Sequence, residues 1–304
     1  IQNRLESNIR SKKVSKFYQS YRNSKIKLMR AAFQLLILSD NSNEKTHYTY
    51  YGRKKLKVLF NEINSSIKRW YRKRYIDQSF LQQIPNDIPF IFLPLQQEPE
   101  RSLLLSAPDY KNQVETVEYV SKCIPKNYLL LVKEHPTQGS GRDWRKISNY
   151  KAMQNNSNVR LIHPSVSADK IIKKSELVIS VSGTIALESA FFNKPSITIA
   201  DNDYTLIPSI SRLNSKNEFR KLIENSLEKK VEPSYVGKYL DILEENSFLF
   251  DYLEFQVSYF NHFYFSGNLV DVEISESHMK EFLINEKQNL ENLAQEFKKK
   301  IVKN

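Results

Sequence analysis

Ser182-Gly183-Thr184 has the residue types and the position of a phosphate-binding turn. It comes directly after an apolar run and opens a predicted helix, whose free N–H groups and positive dipole end attract anions. Gly183 lets the backbone approach a ligand closely, and two hydroxyls add donors. An ordinary helix N-cap at Ser182 or Thr184 is the alternative interpretation. Glu188 lies one helical turn further, where it is either a ribose-binding carboxylate or a solvated side chain.

A second group of polar residues, Lys133-Glu134-His135-Pro136, follows another apolar run. A histidine at the end of a strand can donate to a phosphate or act as an acid or base near neutral pH. Alternatively, His135 is a turn residue that hydrogen-bonds to the backbone. Lys133 and Arg142 would supply positive charge to the same ligand.

Acidic residues give weaker indications of chemistry. Glu98 and Glu100 are candidate catalytic bases by position only, as His135 is by type. Asp201 and Asp203 match a metal-binding pair superficially, but two acids at this spacing are common in loops. No His, Cys, Asp and Glu cluster has zinc-site spacing, and the Walker A, GxSxG and GxGxxG motifs are absent. We therefore expect neither a metal nor a cofactor.

Short apolar runs that alternate with helical patterns predict the elements that position these residues. Strands are predicted at 89–95, 128–133, 159–162, 177–181 and 195–200. Helices are predicted at 1–40, 54–82, 110–123, 167–174, 184–192, from a capping box at 215–218 to about 229, at 236–264 and at 278–302. This alternation indicates an α/β fold with a parallel sheet and right-handed crossovers. In such sheets a ligand lies at the carboxyl ends of the strands, where the polar groups above fall.

The predicted organisation has three parts, and the charge is concentrated in the first. Residues 1–88 form a basic helical region, 89–230 a Rossmann-like domain and 231–304 C-terminal helices. The net charge of the chain is +12, and residues 1–88 alone hold 19 Lys and Arg against 6 Asp and Glu. That region is interpreted as a solvated helix face, a surface for anionic membranes or polymers, or a nucleic-acid site. No nucleic-acid motif supports the third interpretation, so we expect no nucleic acid.

Composition excludes several classes of protein. With 40% hydrophobic and 26% charged residues among 304, the chain is neither collagen-like nor disordered. A single cysteine, Cys123, excludes a disulfide scaffold. No stretch reaches the roughly 18 to 20 apolar residues of a membrane span. Because the chain begins with Ile1 rather than Met, we expect a piece of a longer protein.

Taken in order, these motifs resemble the capsule polysaccharide biosynthesis family, which includes the Kdo transferases of capsule export. The resemblance rests on Phe92–Ser102, Leu131–Pro136, Ser175–Ala190 and Asn193-Lys194-Pro195, and it covers about residues 89–210. It implies a GT-B architecture of two Rossmann-like domains and a metal-independent mechanism. It also implies that His135 and the Ser182/Thr184 helix start hold the donor phosphate and that Glu188 holds the ribose. In the family the donor is a CMP-sugar, typically CMP-Kdo.

One departure from the family concerns the N-terminal Rossmann domain, which usually carries the acceptor site and the catalytic base. Residues 1–88 show no βαβ series, so the base stays unassigned among Glu98, Glu100 and His135. The resulting hypothesis is a glycosyltransferase with a nucleotide-sugar donor and a glycan or glycolipid acceptor. We expect it to be cytoplasmic, and peripheral on the inner membrane face if its basic helices bind there. The alternatives are a teichoic-acid-type polymerase that uses a CDP-alcohol, a nucleotide-sugar 2-epimerase, and a non-catalytic nucleotide- or sugar-binding module.

Overall fold

A computed structural model describes residues 29, 33, 36–37, 55–135, 138–139, 143–263 and 274–303. The chain forms two compact units, one of residues 1–64 with 247–304 and one of residues 65–246. The predicted division into domains 1–88, 89–230 and 231–304 stays a prediction. Most of the predicted helix at 1–40 lies outside the described residues.

Six parallel strands form one sheet in the unit of residues 65–246. They are β1 (Phe90–Pro94), β2 (Leu129–Lys133), β3 (Val159–Ile162), β4 (Leu177–Ser180), β5 (Ser196–Thr198) and β6 (Ile210–Arg212), in the spatial order β3-β2-β1-β4-β5-β6. Phe92 pairs with Leu131 of β2 on one side and with Val178 of β4 on the other. The predicted α/β, Rossmann-like class is confirmed, and this strand order is the one found in dinucleotide-binding sheets.

The five predicted strands are confirmed to within two residues at their ends. The sixth, β6, was not predicted, because Ile210-Ser211-Arg212 is too short and too polar to form an apolar run. It is added to the sheet by pairing with β5, where Ile197 lies opposite Ser211.

The two faces of the sheet carry separate hydrophobic clusters, because successive side chains of a strand alternate between faces. One face contributes Ile91, Leu93, Leu130, Val132, Ile179 and Ile197, and the other contributes Phe90, Phe92, Leu131, Ile162 and Val178. Helical residues cover both: Val117 and Phe219 pack on the first cluster, and Ile171 packs within the second. Burial of both faces explains why the strands are continuous apolar runs.

Eleven helices occur within the described ranges. They are α1 (Lys55–Ser79), α2 (Arg101–Ser106), α3 (Gln113–Cys123), α4 (Ile147–Gln154), α5 (Ala168–Lys174), α6 (Ile185–Ala190), α7 (Phe219–Leu227), α8 (Pro233–Asn246), α9 (Tyr252–Phe263), α10 (Glu276–Asn285) and α11 (Lys287–Lys303). Short 3-10 turns lie at Pro108–Tyr110, Asp203–Leu206 and Lys216–Glu218. Among the described helices none is both long enough and apolar enough to cross a bilayer.

The predicted basic helix at 54–82 corresponds to α1. Two of its arginines are used within the fold: Arg69 Nη1 lies 3.1 Å from Asp143 Oδ1, and Arg72 Nη1 donates to the carbonyl oxygen of Trp144 at 2.6 Å. Ile76 is buried in the sheet cluster. The earlier apolar residues of α1 are exposed, namely Leu56, Phe60, Ile63, Ile67 and Trp70. The later turns of α1 therefore belong to the core, whereas its first turns present both charge and apolar surface.

The predicted capping box at 215–218 is wrong. The Ser215 side chain makes no capping hydrogen bond, and a 3-10 turn precedes α7. Phe219, the first residue of α7, is fully buried and stacks on Tyr119 with 5.5 Å between ring centroids. Packing of this aromatic pair, rather than a side-chain cap, fixes where the helix begins.

Two long predicted helices are each divided in the structure. The pattern at 236–264 contains α8 and α9, and the pattern at 278–302 contains α10 and α11, which meet at Glu286. The Glu286 carboxylate accepts a hydrogen bond from Ser258, and its backbone N–H donates to the carbonyl oxygen of Phe282 at 2.9 Å. Helices α2 and α4 were not predicted. Apolar periodicity continues across the junctions between α8 and α9 and between α10 and α11, so it did not predict where α8 and α10 end.

We predict that Phe92→Ala destabilises the fold by about 3–5 kcal/mol, because it leaves a cavity between β1 and its neighbours. Phe92 is 0% exposed, whereas Phe60 on α1 is 68% exposed, so Phe60→Ala is the matched control. Urea unfolding followed by circular dichroism measures both variants. Equal losses for the two variants would contradict the core assignment.

Candidate functional site

The strand order changes direction between β1 and β4, and this switch point creates a crevice at their carboxyl ends. Gln96 follows β1, and Ser182 and Gly183 follow β4. The Ser182 hydroxyl lies 3.4 Å from Gln96 Oε1. A Cβ atom on Gly183 would lie 3.3 Å from Gln96 Nε2 and 3.2 Å from Ser180 Oγ. A side chain at position 183 would therefore be tightly packed, because the residues after β1 and β4 approach closely here.

The turn after β4 is held by two side chains. Ser180 Oγ accepts a hydrogen bond from the Gly183 backbone N–H at 2.9 Å, and the Tyr204 hydroxyl donates to the Gly183 carbonyl oxygen at 3.0 Å. Burial raises the pKa of Tyr204, so this phenol stays a donor at neutral pH. The N–H of Gly183 is thus already bonded within the protein. A ligand at this turn would contact side-chain hydroxyls and the backbone amides that follow Gly183.

Thr184 and Glu188 lie one helical turn apart, as predicted. The Thr184 hydroxyl donates to Glu188 Oε1 at 3.0 Å and makes no capping hydrogen bond. The helix that begins here, α6, has only 6 residues, so its dipole is small compared with that of a long helix. The predicted phosphate site depended on that dipole. With so short a helix, the side chains of Thr184 and Glu188 become the more important groups for binding a ligand.

A buried ion pair organises the adjoining edge of the sheet. Glu134 is 1% exposed and accepts hydrogen bonds from Arg145 Nε at 2.8 Å and from the Tyr150 hydroxyl at 2.8 Å. Its other oxygen accepts the backbone N–H of His135 at 2.9 Å. Both carboxylate oxygens are occupied, so Glu134 positions the loop after β2. Its predicted role in donor binding stays a prediction.

Arg145 connects this carboxylate to the end of β1. One guanidinium nitrogen, Nη2, donates to the Gln96 carbonyl oxygen at 2.6 Å, and another, Nη1, pairs with the Glu98 carboxylate. The sequence analysis did not single out Arg145, because nothing in its spacing distinguishes it from other arginines. Glu98, a predicted candidate base, is committed to this ion pair. Pro136 and Arg142, both predicted donor-site residues, lie outside the described residues.

Lys133 is the cationic group at the crevice, and His135 follows it two residues later. Lys133 is 5% exposed, and within the described ranges its ammonium makes no hydrogen bond or ion pair. Burial lowers the pKa of Lys133, while the Glu134 carboxylate opposes that change. His135 is half-buried, and burial together with the charges of Lys133 and Arg145 lowers its pKa. His135 is therefore neutral at pH 7, and an anion near Lys133 would favour the charged form of both groups.

The remaining acidic candidates are Asp201, Asp203 and Glu100. Asp201 forms an ion pair with Arg212 at 2.9 Å, and Asp203 Oδ1 accepts the backbone N–H of Tyr204 at 3.0 Å. Glu100 is the N-cap residue of α2 and makes no side-chain cap. The structure thus gathers Gln96, Ser182, Thr184 and Glu188 at β1 and β4, and Lys133, Glu134 and His135 at the neighbouring end of β2.

We predict that Arg145→Met destabilises the protein by about 3–5 kcal/mol, because it leaves the Glu134 carboxylate buried and unpaired. Lys73→Met is the matched control, since the Lys73–Asp77 pair is largely exposed, at 61% and 41%. Surface pairs of this kind contribute little. Equilibrium urea unfolding compares the two, and a wild-type midpoint for Arg145→Met would show that the pair is not structural.

Several solved structures are similar to this chain. Two are β-Kdo transferases of KpsC from Thermosulfurimonas dismutans. The 2,7-transferase shares 14% sequence identity with a TM-score of 0.37, and the match covers 69% of this chain and 57% of that one. The 2,4-transferase shares 12% sequence identity with a TM-score of 0.37, and the match covers 73% of this chain and 61% of that one. A UDP-GlcNAc 2-epimerase from Methanocaldococcus jannaschii, in complex with UDP-GlcNAc and UDP, shares 17% (TM-score 0.37, 58% and 48%). This chain thus spans about half to three fifths of their lengths, and likeness at this level carries no functional conclusion.

No curated protein matches the chain. The family model described as "Capsule polysaccharide biosynthesis protein" matches residues 4–236. The match is longer than the resemblance found in the motifs, which covered about 89–210, and it includes most of the basic N-terminal region. The suspected family is thereby confirmed. With well over half of its residues matched, the chain belongs to the capsule polysaccharide biosynthesis family.

Proposed function

We propose that the crevice at the carboxyl ends of β1, β2 and β4 binds the phosphate of a nucleotide-sugar, and that the protein transfers the sugar to a glycan or glycolipid acceptor. The observation that carries the proposal is Lys133, which is 5% exposed and whose ammonium makes no hydrogen bond or ion pair within the described part of the chain. Burial of an unpaired charge is costly, and an anionic ligand would offset that cost. Membership of a capsule-biosynthesis family supports polysaccharide assembly as the setting.

The donor phosphate would take its contacts from one lysine, one histidine and two hydroxyls. Lys133 supplies charge, and His135 donates a hydrogen bond from its ring. The hydroxyls of Ser182 and Thr184 approach from the end of β4. Thr184 now donates to Glu188, so a phosphate would compete for the Thr184 hydroxyl, and the Glu188 carboxylate would accept from a ribose diol.

The transfer step follows from this placement. The bond between the anomeric carbon and the phosphate oxygen breaks, and a bond forms from that carbon to an acceptor hydroxyl oxygen, whose proton passes to a base. Negative charge that develops on the leaving phosphate is offset by Lys133, His135 and the hydroxyls, without need of a metal. Glu98 is held by Arg145, which leaves Glu100 and His135 as candidate bases.

A CMP-sugar is the donor we favour. Its leaving group carries one phosphate, and a single phosphate can be held by one lysine, one histidine and two hydroxyls. A UDP-sugar leaves as UDP, and a CDP-alcohol brings two phosphates to the site although only CMP leaves, so either donor needs a second set of cations. The sugar we propose is Kdo-like, in keeping with the family resemblance.

The basic region would hold the protein on an anionic membrane face, beside a glycolipid acceptor. On α1, Trp70 and Tyr71 are 61% and 62% exposed, and Lys68 and Arg74 are exposed near them. Aromatic rings at the headgroup level combine with lysines and arginines that each add about 1 kcal/mol at an anionic surface. Arg69 and Arg72 are used internally and are not part of this surface.

We predict that CMP stabilises the wild-type protein and that Lys133→Met abolishes the effect. A ligand at a hundred times its dissociation constant contributes about 2.7 kcal/mol, which raises Tm by roughly 5 °C or more for a chain of this size. Without ligand, Lys133→Met should be at least as stable as wild type, because it removes a buried unpaired charge. Thermal unfolding with CMP, CDP, UDP and GDP measures these shifts.

Two control variants accompany this experiment. Lys122→Met removes an exposed lysine that pairs with Glu118, and His163→Ala removes a histidine beside Asp77; both should keep the CMP shift. His135→Ala should reduce it. Turnover of CDP-glycerol but not of a CMP-sugar would favour the CDP-alcohol polymerase, and stabilisation by UDP alone would favour the epimerase. If no nucleotide shifts Tm, the donor site does not exist.

We predict that the protein co-sediments with vesicles containing anionic lipid more than with neutral vesicles. The double variant Lys68→Glu with Arg74→Glu should bind several-fold less, because it reverses the charge on the exposed face of α1. Lys122→Glu with Lys126→Glu is the control for an equal change in net charge elsewhere. Equal binding to anionic and neutral vesicles would overturn the membrane proposal.

A further inference from the structure

Helices α9 and α10 are joined by a cluster of aromatic rings in the unit that contains residues 247–304. The Phe282 ring of α10 lies 5.9 Å from Phe255, 6.0 Å from Tyr259 and 4.9 Å from Phe263 of α9, measured between ring centroids. Phe263 is 0% exposed and Phe282 is 5% exposed. The relative position of these two helices is therefore fixed by packing.

Two histidines and a glutamate meet at the edge of this cluster. One ligand-type atom from each of His262, His278 and Glu281 lies within 4.8 Å of the other two. The imidazole rings of His262 and His278 are 4.3 Å apart between centroids. His278 and Glu281 are three residues apart on α10, so they share one face of that helix. His262 comes from α9, which makes the group a link between the two helices.

A hydrogen bond orients the first of these histidines. His262 Nε2 lies 3.0 Å from the carbonyl oxygen of His278, and since a carbonyl can only accept, Nε2 carries the proton. In a neutral imidazole that donates through Nε2, the other nitrogen, Nδ1, has a free lone pair. A backbone carbonyl that accepts from one ring nitrogen is the usual outer partner of a metal-bound histidine.

We propose that His262, His278 and Glu281 form a binding site for Zn²⁺ or a similar divalent transition-metal ion that clips α9 to α10. Two imidazoles and one carboxylate are a common ligand set for zinc, with water in the fourth position. This site is separate from the crevice at β1, β2 and β4, and it does not depend on the proposed transferase activity. The two histidines are 16 positions apart, so their spacing in the sequence does not match that of a zinc site.

The ligand atoms of the three side chains are close together, and a small side-chain movement would bring them to the distances of a bound ion. Ligand atoms bound at about 2.0–2.1 Å in a tetrahedron lie about 3.3 Å apart, closer than the 4.8 Å limit found here. Side-chain rotation can supply that difference, because Glu281 is exposed and, among the described residues, has no ion pair. Both histidines are half-buried against Phe282 and Phe263, so the backbone on each side of the ion is already in place.

The test is a titration of the full chain with Co²⁺ and Zn²⁺, after treatment with a chelator and removal of any affinity tag. We expect one equivalent of Co²⁺ to give the visible absorption of an ion with low coordination number, and Zn²⁺ to displace it. His278→Asn and Glu281→Gln should each weaken binding by at least about tenfold, because each removes one ligand. Zn²⁺ should also raise the Tm of the wild-type chain and not that of the variants.

Control variants distinguish this site from adventitious binding. His163→Asn removes a histidine that lies beside Asp77, outside the cluster, and should bind Co²⁺ like wild type. Glu281→Gln changes an exposed side chain, so this variant still tests the proposal if a histidine variant fails to fold. Circular dichroism shows whether each variant is folded. Absence of a 1:1 complex at micromolar protein, or wild-type affinity in Glu281→Gln and His278→Asn, overturns the proposal.

Discussion

A charged group that is buried in a protein needs hydrogen bonds that replace those it made with water. The Glu134–Arg145 pair has such hydrogen bonds, and they join the loops around the crevice. Arg145 donates to Glu134, to the carbonyl of Gln96 and to Glu98, and Tyr150 donates to the same carboxylate. These contacts tie the end of β1, the end of β2 and α4 together. The two buried charges satisfy each other, so the positive charge of Lys133 is left over at the crevice.

The fold and the edge that carries the site could be predicted from the sequence because they depend on local patterns. Strands buried on both faces are apolar runs of four to six residues, and helices between them imply parallel pairing. Once the strands are placed, the residues after them must gather at one edge, as Gln96 and Ser182 do. The resemblance of these same segments to capsule biosynthesis proteins indicated the family that the match over residues 4–236 confirms.

Properties that arise from three-dimensional packing could not be predicted in the same way. Arg142 and Arg145 are three positions apart in one polar stretch of the sequence, and only the fold shows that Arg145 reaches the Glu134 carboxylate. The basic charge of α1 looked uniform in sequence, yet Arg69 and Arg72 bond to residues more than seventy positions away. The capping box failed for a related reason, since burial of Phe219 outweighs the hydrogen bond that Ser215 could have offered.

The close approach of Gln96 and Gly183 also constrains how this sequence can vary. Any side chain at position 183 would meet the amide of Gln96 and the hydroxyl of Ser180 within 3.3 Å. Both contact atoms belong to side chains, so a larger residue at position 183 requires the Gln96 amide and the Ser180 hydroxyl to move by a few tenths of an ångström. Positions 96, 180 and 183 are therefore coupled across the switch point, although residue 96 lies far from the other two along the chain.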